Sequence, residues 1–466
     1  MIKNPALPYR DHIRAVVLLG LPLIGGHLAQ FAIWTTDTVM LGRYGVEPLA
    51  ASVLAGSLFM TLFIMGSGFA WAVLPMVAAA AAEGDEVSIR RITRMGLWLS
   101  LLFALPCMVV FYASAVVFGW MGQEAQLAVE AQSYLEIAGW GIIPGLAVMV
   151  LKSYLAAQER TQVVLWITVV AAIANGVINY ALIFGNWGAP ELGLRGAAIG
   201  SVSVQVVSLI GCILYAVTVL PEHHLFQRVW RPDWEFFLRV FKLGVPIGLT
   251  NLSEVGLFAT SAILIGWLGA EPLAAHGIAL QIATATFMVH MGLSNAATVR
   301  AGASYGRRDQ ANLKRGGITV IALSLGVVAV TLALMIAIPD TLVGLFLSDD
   351  EPARQEILTI GVSLLFMAAL FQVVDAMQVQ ALGLLRGLQD STVPMIMAAV
   401  SYWLIGLPSA YVFGFVLDWG AVGVWTGLVS GLASAAVLLM ARFWLVTYPR
   451  MDDAPQNATD FASQNA

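Results

Sequence analysis

The sequence is poor in charge. Asp, Glu, Lys and Arg together make up 11% of its 466 residues, whereas hydrophobic types make up 59%. A soluble fold of this length needs more polar residues to cover its surface, so the composition excludes one. Cysteine is nearly absent. Cys107 and Cys212 each sit inside an apolar run, which excludes a disulfide framework and leaves them as packing or lipid-facing residues. Of the 6 histidines, His27, His276 and His290 lack the spacing of a metal site, and His223 and His224 fall in a polar connection. No P-loop, zinc signature or nucleophile–base spacing occurs, so neither a cofactor nor an enzyme activity is expected. No nucleic-acid partner is expected either, and the net charge of −5 says little by itself, because orientation in a membrane follows where Lys and Arg stand.

What the chain does have is a succession of apolar runs separated by short polar turns. Hydrocarbon about 30 Å thick needs roughly 20 apolar residues per crossing. On that measure the runs predict helices over about 14–42, 49–82, 92–118, 127–157, 161–186 and 195–220, then 239–268, 272–305, 314–338, 353–386, 393–417 and 421–447. The first run is too long for a signal-peptide core and is read as a retained helix. The fold class is therefore an all-α integral membrane protein of 12 transmembrane helices.

The two sets of six are copies. Gly20 to Ala51 lies without a gap over Gly244 to Ala275, 224 residues later, and 11 of 32 positions are identical: Gly20, Pro22, Leu28, Thr36, Gly42, Gly45, Glu47, Pro48, Leu49, Ala50 and Ala51. An even number of crossings per copy makes the repeat parallel, with its pseudo-two-fold axis along the membrane normal. The expected organisation is a six-helix lobe over 1–220, a cytoplasmic linker over 221–238, a second six-helix lobe over 239–447 and a disordered cytoplasmic tail over 448–466. With the N-terminus inside, 20 of the 23 basic residues lie on the inner face, among them Lys3, Arg90, Arg91, Arg94, Lys152 and Arg231; Arg43, Arg195 and Arg354 fall outside.

Three carboxylates interrupt the apolar runs: Asp37, Glu254 and Asp375. Each costs about 2.5–3.5 kcal/mol to insert. No basic residue is expected at the same depth, because Arg14, Arg43, Arg239, Arg300 and Arg386 all lie near predicted helix ends. A proton, a metal ion or a cationic substrate is then the partner; the plainer alternative is a neutral acid that helps helices pack. The repeat places Asp37 over Ser261 and Glu254 over Gln30, so neither acid is a by-product of duplication. Asn175 and Asn179 share a helix face, and either join helices or, with Ser201, complete an oxygen-rich site around Asp37. Pro22 and Pro246 are paired by the repeat and either pack or bend their helices. The string GASYG at Gly302 to Gly306 matches a hydrolase elbow but follows a helix, not a strand.

Several strings agree in one resemblance: TTDTVMLGRYG, NGVINYALIFG, GLRGAAIGS, EPLAAHGIALQI, GLSNAATVRAGASYGRRD and FQVVDAMQVQALGLLRG. The chain resembles the multidrug and toxic compound extrusion (MATE) family, in its NorM-like branch, over essentially its full length. The resemblance implies a monomer in the bacterial inner membrane, with both termini cytoplasmic. It would export small cationic amphiphilic drugs or dyes by alternating access, in exchange for Na+ or H+. It further implies that Asp37, Asn175, Asn179 and Ser201 form one cation or proton site and that Glu254 and Asp375 form another, either of which could hold Na+. Two departures stand out: Asn179 where some members carry a second acid, and Phe371 where a tyrosine often precedes the later acid. The alternative within the wider superfamily is a flippase for a lipid-linked precursor, which would favour basic cavity residues.

Overall fold

The computed structural model describes residues 7–348 and 352–453. Lys3 and the tail beyond Asp453 lie outside the described residues. Twelve helices are long and apolar enough to cross a membrane, and among the described residues there is no strand. In one lobe these are α1 (Tyr9–Tyr44), α2 (Val46–Glu83), α3 (Glu86–Tyr112), α4 (Ala125–Ala157), α5 (Thr161–Phe184) and α6 (Leu194–Val219). In the other they are α7 (Trp234–Gly266), α8 (Ala270–Gly306), α9 (Gln310–Ala337), α10 (Arg354–Gly387), α11 (Thr392–Val416) and α12 (Gly420–Met451). Both cysteines are buried, which makes them packing residues.

The helices start where local chemistry starts them. Asp85 accepts the Ser88 amide at 2.9 Å at the head of α3, and Asp309, its counterpart in the repeat, accepts the Asn312 amide at 3.0 Å at the head of α9. Asp233 does the same for Phe236 and begins α7 at Trp234, ahead of the predicted start at 239. Such caps occupy amides that the first turn leaves without carbonyls. At the other end of the chain, α12 runs to Met451, so the opening of the expected tail is helical. The connection between lobes folds against the first one: His223 is buried with its Nδ1 2.5 Å from the Tyr154 hydroxyl. Burial pushes this imidazole below its ordinary range, which keeps it neutral at pH 7.

The lobes meet along a seam that obeys the repeat. Gly68 of α2 faces Gly244 and Gly248 of α7 so closely that a Cβ would stand 2.3 Å from the Gly244 carbonyl and 2.5 Å from the Gly248 nitrogen. Its counterpart Gly292 of α8 faces Ile24 of α1 in the same way, with a Cβ 2.7 Å from the Ile24 nitrogen. Pro22 and Pro246 lie in this seam, both buried inside helices that continue through them. The GASYG string is also seam: a Cβ on Gly302 would stand 2.9 Å from the Pro75 carbonyl, and one on Gly306 would stand 2.4 Å from the Ala79 carbonyl.

All these contacts lie in the half of the bundle that carries the chain termini. There residues 66–80 of α2 are buried on every side, as are nearly all of 290–304 of α8. In the opposite half the same two helices are buried on one side only, at Ala51 and Ala55 of α2 and at Ala275, His276, Ile278, Ala279 and Ala283 of α8. A helix buried all round sits inside a core, and one buried on a stripe faces open space or lipid. The lobes therefore pack most tightly against each other at the terminal end.

Filling the seam is expected to destabilise the closed end. Gly68→Val should lower the thermal midpoint of the detergent-solubilised protein by the equivalent of about 1–3 kcal/mol. Gly56→Val, where nothing lies within 4 Å of the new Cβ, serves as its control. Equal midpoints for the two variants would rule out a seam this tight.

Candidate functional site

In the first lobe, α1, α5 and α6 bring four of the expected residues together. Asp37 lies two turns short of the end of α1, and the Asn179 amide of α5 donates to its Oδ1 at 2.5 Å. Asn175, one turn earlier on α5, and Ser201 of α6 flank the same carboxylate. Asn175 and Asn179 are fully buried. Yet both polar atoms of the Asn175 amide, and the Asn179 Oδ1, have no hydrogen-bond partner. Buried polar atoms are nearly always paired, so an acid at this depth, surrounded by amides whose atoms are not all paired and with no basic group acting on it, is a candidate place for a cation or a proton. No Lys or Arg figures among the groups acting on Asp37.

Two residues of this cluster have no signal in sequence reasoning. Tyr134 of α4 reaches Ser201 and the field of Asp37. Gly200 of α6 makes room for the key amide, because a Cβ there would stand 2.0 Å from the Asn179 Oδ1. Only the crossing of α5 and α6 shows that need.

In the second lobe, Glu254 of α7 and Asp375 of α10 act on each other electrostatically, and Gln378 donates to Glu254 Oε1 at 3.3 Å. Asp375 is 1% exposed, and its Oδ2 lacks a partner. Here one expectation is corrected. Arg386 does lie in the last turn of α10, yet it is 6% exposed, bonds Asn251 Oδ1 at 2.8 Å and lies in the field of Glu254, so a basic residue does act on one of the acids. The reason is tertiary: the last turns of α10 are enclosed by α8 and α12, so the end of the helix is inside the protein. Lys152 is likewise turned inward, to Thr168 Oγ1 at 2.8 Å. Among the described residues neither Glu254 nor Asp375 has a cationic group within 4 Å, so Arg386 offsets the pair without closing an ion pair.

Phe371 packs edge-on between Phe258 and Trp425, extending an aromatic cluster beside the acids. A phenol enters from α11: Tyr402 is buried beside Gln378 and in the field of both acids. Tyr402 sits in a widened stretch of α11, Val400–Gly406, where the amide of Leu407 reaches back five residues to the Tyr402 carbonyl. Such widened turns often accompany functional sites. Among the described residues no three His, Cys, Asp or Glu side chains converge on one point, so each cluster relies on amide, hydroxyl or phenol oxygens beside its acids.

Residues 22–181 and 246–412 match the MatE family, and the two matched stretches begin at the paired prolines Pro22 and Pro246. The chain belongs to the MatE family. It is 46% identical over 436 residues to a probable multidrug resistance protein NorM of Rhizobium meliloti, covering 93% of each chain. Its MatE fold is also that of a crystal structure of MATE in complex with MaL6, at a TM-score of 0.85 with 21% identity over 95% of this chain and 97% of that one. An outward-facing conformation of a multidrug resistance MATE family transporter superimposes at a TM-score of 0.84, with 20% identity over 97% and 99% of the two chains. In this MatE chain the matched stretches carry Asp37, Asn175 and Asn179 in one copy and Glu254 and Asp375 in the other. Ser201 falls beyond the first stretch, on the helix that closes the cluster.

Two measurements probe this geometry. Gly200→Ala should lower the thermal midpoint by the equivalent of about 1–3 kcal/mol, because the fully buried Asn179 amide has to move and gives up its bond to Asp37. It should raise carbodiimide labelling of Asp37 severalfold by swinging the Asn179 amide away, and unchanged labelling would remove Gly200 from the cluster. In a double-mutant cycle, Arg386→Met and Glu254→Gln should couple by about 0.5–3 kcal/mol in unfolding free energy, the pair losing less than the sum. Strict additivity would disconnect the guanidinium from the acid.

Proposed function

We propose that this chain is an inner-membrane antiporter that exports small cationic amphiphiles against an inward flux of Na+ or H+. The observation that carries the reading is the Asp37 cluster: a carboxylate at membrane depth, held by neutral amide and hydroxyl groups and with no basic residue acting on it. Such a charge invites a mobile positive partner. The multidrug names of the relatives support the substrate class, and the crowding of Lys and Arg at the terminal end supports cytoplasmic termini.

In this mechanism the lobes part outward while the glycine seam closes the cytoplasmic end. A cation arriving from outside neutralises Asp37 in one lobe, or occupies the Glu254 and Asp375 pair in the other, and favours the opposite opening. Drug and coupling ion then weaken each other's binding by the same factor, because both act on one two-state equilibrium. Each acid cluster is completed by helices of a single lobe, so one chain suffices as the working unit. The flippase alternative needs a spare positive charge for an anionic substrate. Arg386 is already offset by Glu254, and no basic group acts on Asp37, which favours the antiporter.

Ethidium efflux from inverted vesicles, driven separately by a sodium gradient and by a pH gradient, tests this reading. Asp37→Asn is expected to reduce efflux at least tenfold, the equivalent of about 1.4 kcal/mol, and at least one of Glu254→Gln and Asp375→Asn to do the same, all three inserting normally. Undiminished efflux in all three variants would remove the site assignment.

A further inference from the structure

The connection between the lobes is not a loose tether. It folds back over the first turns of α3: Arg94 Nη1 donates to the main-chain carbonyls of Gln227 at 2.8 Å and Arg228 at 3.0 Å, and the Trp98 indole donates to the Val229 carbonyl at 2.7 Å. Between helix and connection lies a cavity of about 420 Å³, lined chiefly by Arg90, Arg91, Arg94, Arg231, Asp233 and Trp234. It is at the terminal end of the bundle, away from both acid clusters.

Its charge is unbalanced. Asp233 is taken by Arg91, whose guanidinium also reaches Glu235 at 3.2 Å. Arg90, Arg94 and Arg231 have no carboxylate within 4 Å among the described residues. Arg94 is 8% exposed and lies in the field of Arg90, Arg91 and Arg231, which Asp233 offsets only in part. Its Nε–H is buried with no acceptor. An arginine held among like charges, with a buried donor unfilled, calls for an anion that offers several oxygens, and phosphate matches the guanidinium fork. The rim indicates where such an anion comes from. Trp230 and Trp234 are 76% and 67% exposed, and exposed tryptophans beside a basic helix end mark the headgroup level of a bilayer.

We propose that this arginine pocket binds the phosphodiester headgroup of an anionic glycerophospholipid from the leaflet at the terminal end, bridging α3 to the connection between the lobes. Basic pockets at the ends of membrane helices bind such headgroups, each arginine strengthening binding about fivefold. The inference rests on the pocket alone and is independent of what the transporter exports.

Native mass spectrometry of the full-length protein in detergent tests it, with phosphatidylglycerol, phosphatidylcholine and inorganic phosphate titrated separately. The wild type is expected to retain phosphatidylglycerol in preference to phosphatidylcholine and to show no retention of inorganic phosphate. Arg90→Gln with Arg231→Gln should weaken phosphatidylglycerol binding about 25-fold and leave phosphatidylcholine unchanged. Arg231→Gln alone changes an exposed side chain and should weaken it about fivefold, which keeps the test informative if the double variant does not fold. Equal retention of the two lipids, or variants that hold phosphatidylglycerol as tightly as the wild type, would overturn the site. Retention of inorganic phosphate, with displacement of the lipid by it, would overturn the lipid as its source.

Discussion

Hydrocarbon offers no hydrogen bonds, so every polar atom carried into it has to find a partner inside the chain. That constraint shapes the molecule at each level. It makes all twelve spans helical, because a helix pairs its own backbone. It accounts for side chains such as Thr250, Ser261 and Thr298, whose hydroxyls bond carbonyls one turn back in their own helices. It also gives weight to the exceptions. Some of these, the Asn175 amide, Asn179 Oδ1, Asp375 Oδ2 and Tyr402 hydroxyl, belong to the two acid clusters, while others, such as Ser100 Oγ, Ser114 Oγ and Arg94 Nε, lie elsewhere. Where the protein leaves such atoms open, a travelling ion or proton can satisfy them.

The scaffold is two-fold and the chemistry is not. Gly68 against Gly244 and Gly248 is repeated by Gly292 against Ile24, so the seam can close with both lobes contributing alike. At the position of Asp37 the second copy has Ser261, whose hydroxyl turns back to the Leu257 carbonyl at 2.8 Å and asks for no ion. The second lobe instead sets two acids near Arg386. That guanidinium also lies over the Trp71 ring of α2, 5.2 Å from its centroid, so it touches the opposite lobe while serving Asn251 and Glu254 in its own. One side chain thus has partners in both lobes.

Much of this was legible in the amino-acid order alone. Low charge and long apolar runs determine twelve helices, because bilayer thickness sets the length of each run. The copy at 224 residues determines two parallel lobes, and Asp37, Glu254 and Asp375 stand out wherever an acid is costly. Only the tertiary structure decided the rest, for reasons that do not lie along the chain. The burial of Arg386 depends on α8 and α12 enclosing the end of α10, and the entry of Tyr402 depends on a widened turn in α11. The need for glycine at 200 arises where two helices cross, and the GASYG string becomes a packing face because α2 lies against it. The arginine pocket exists because the connection between the lobes folds back onto α3. Hydropathy reports how well a segment suits oil; which atoms it leaves without a partner is settled by the neighbours that pack around it.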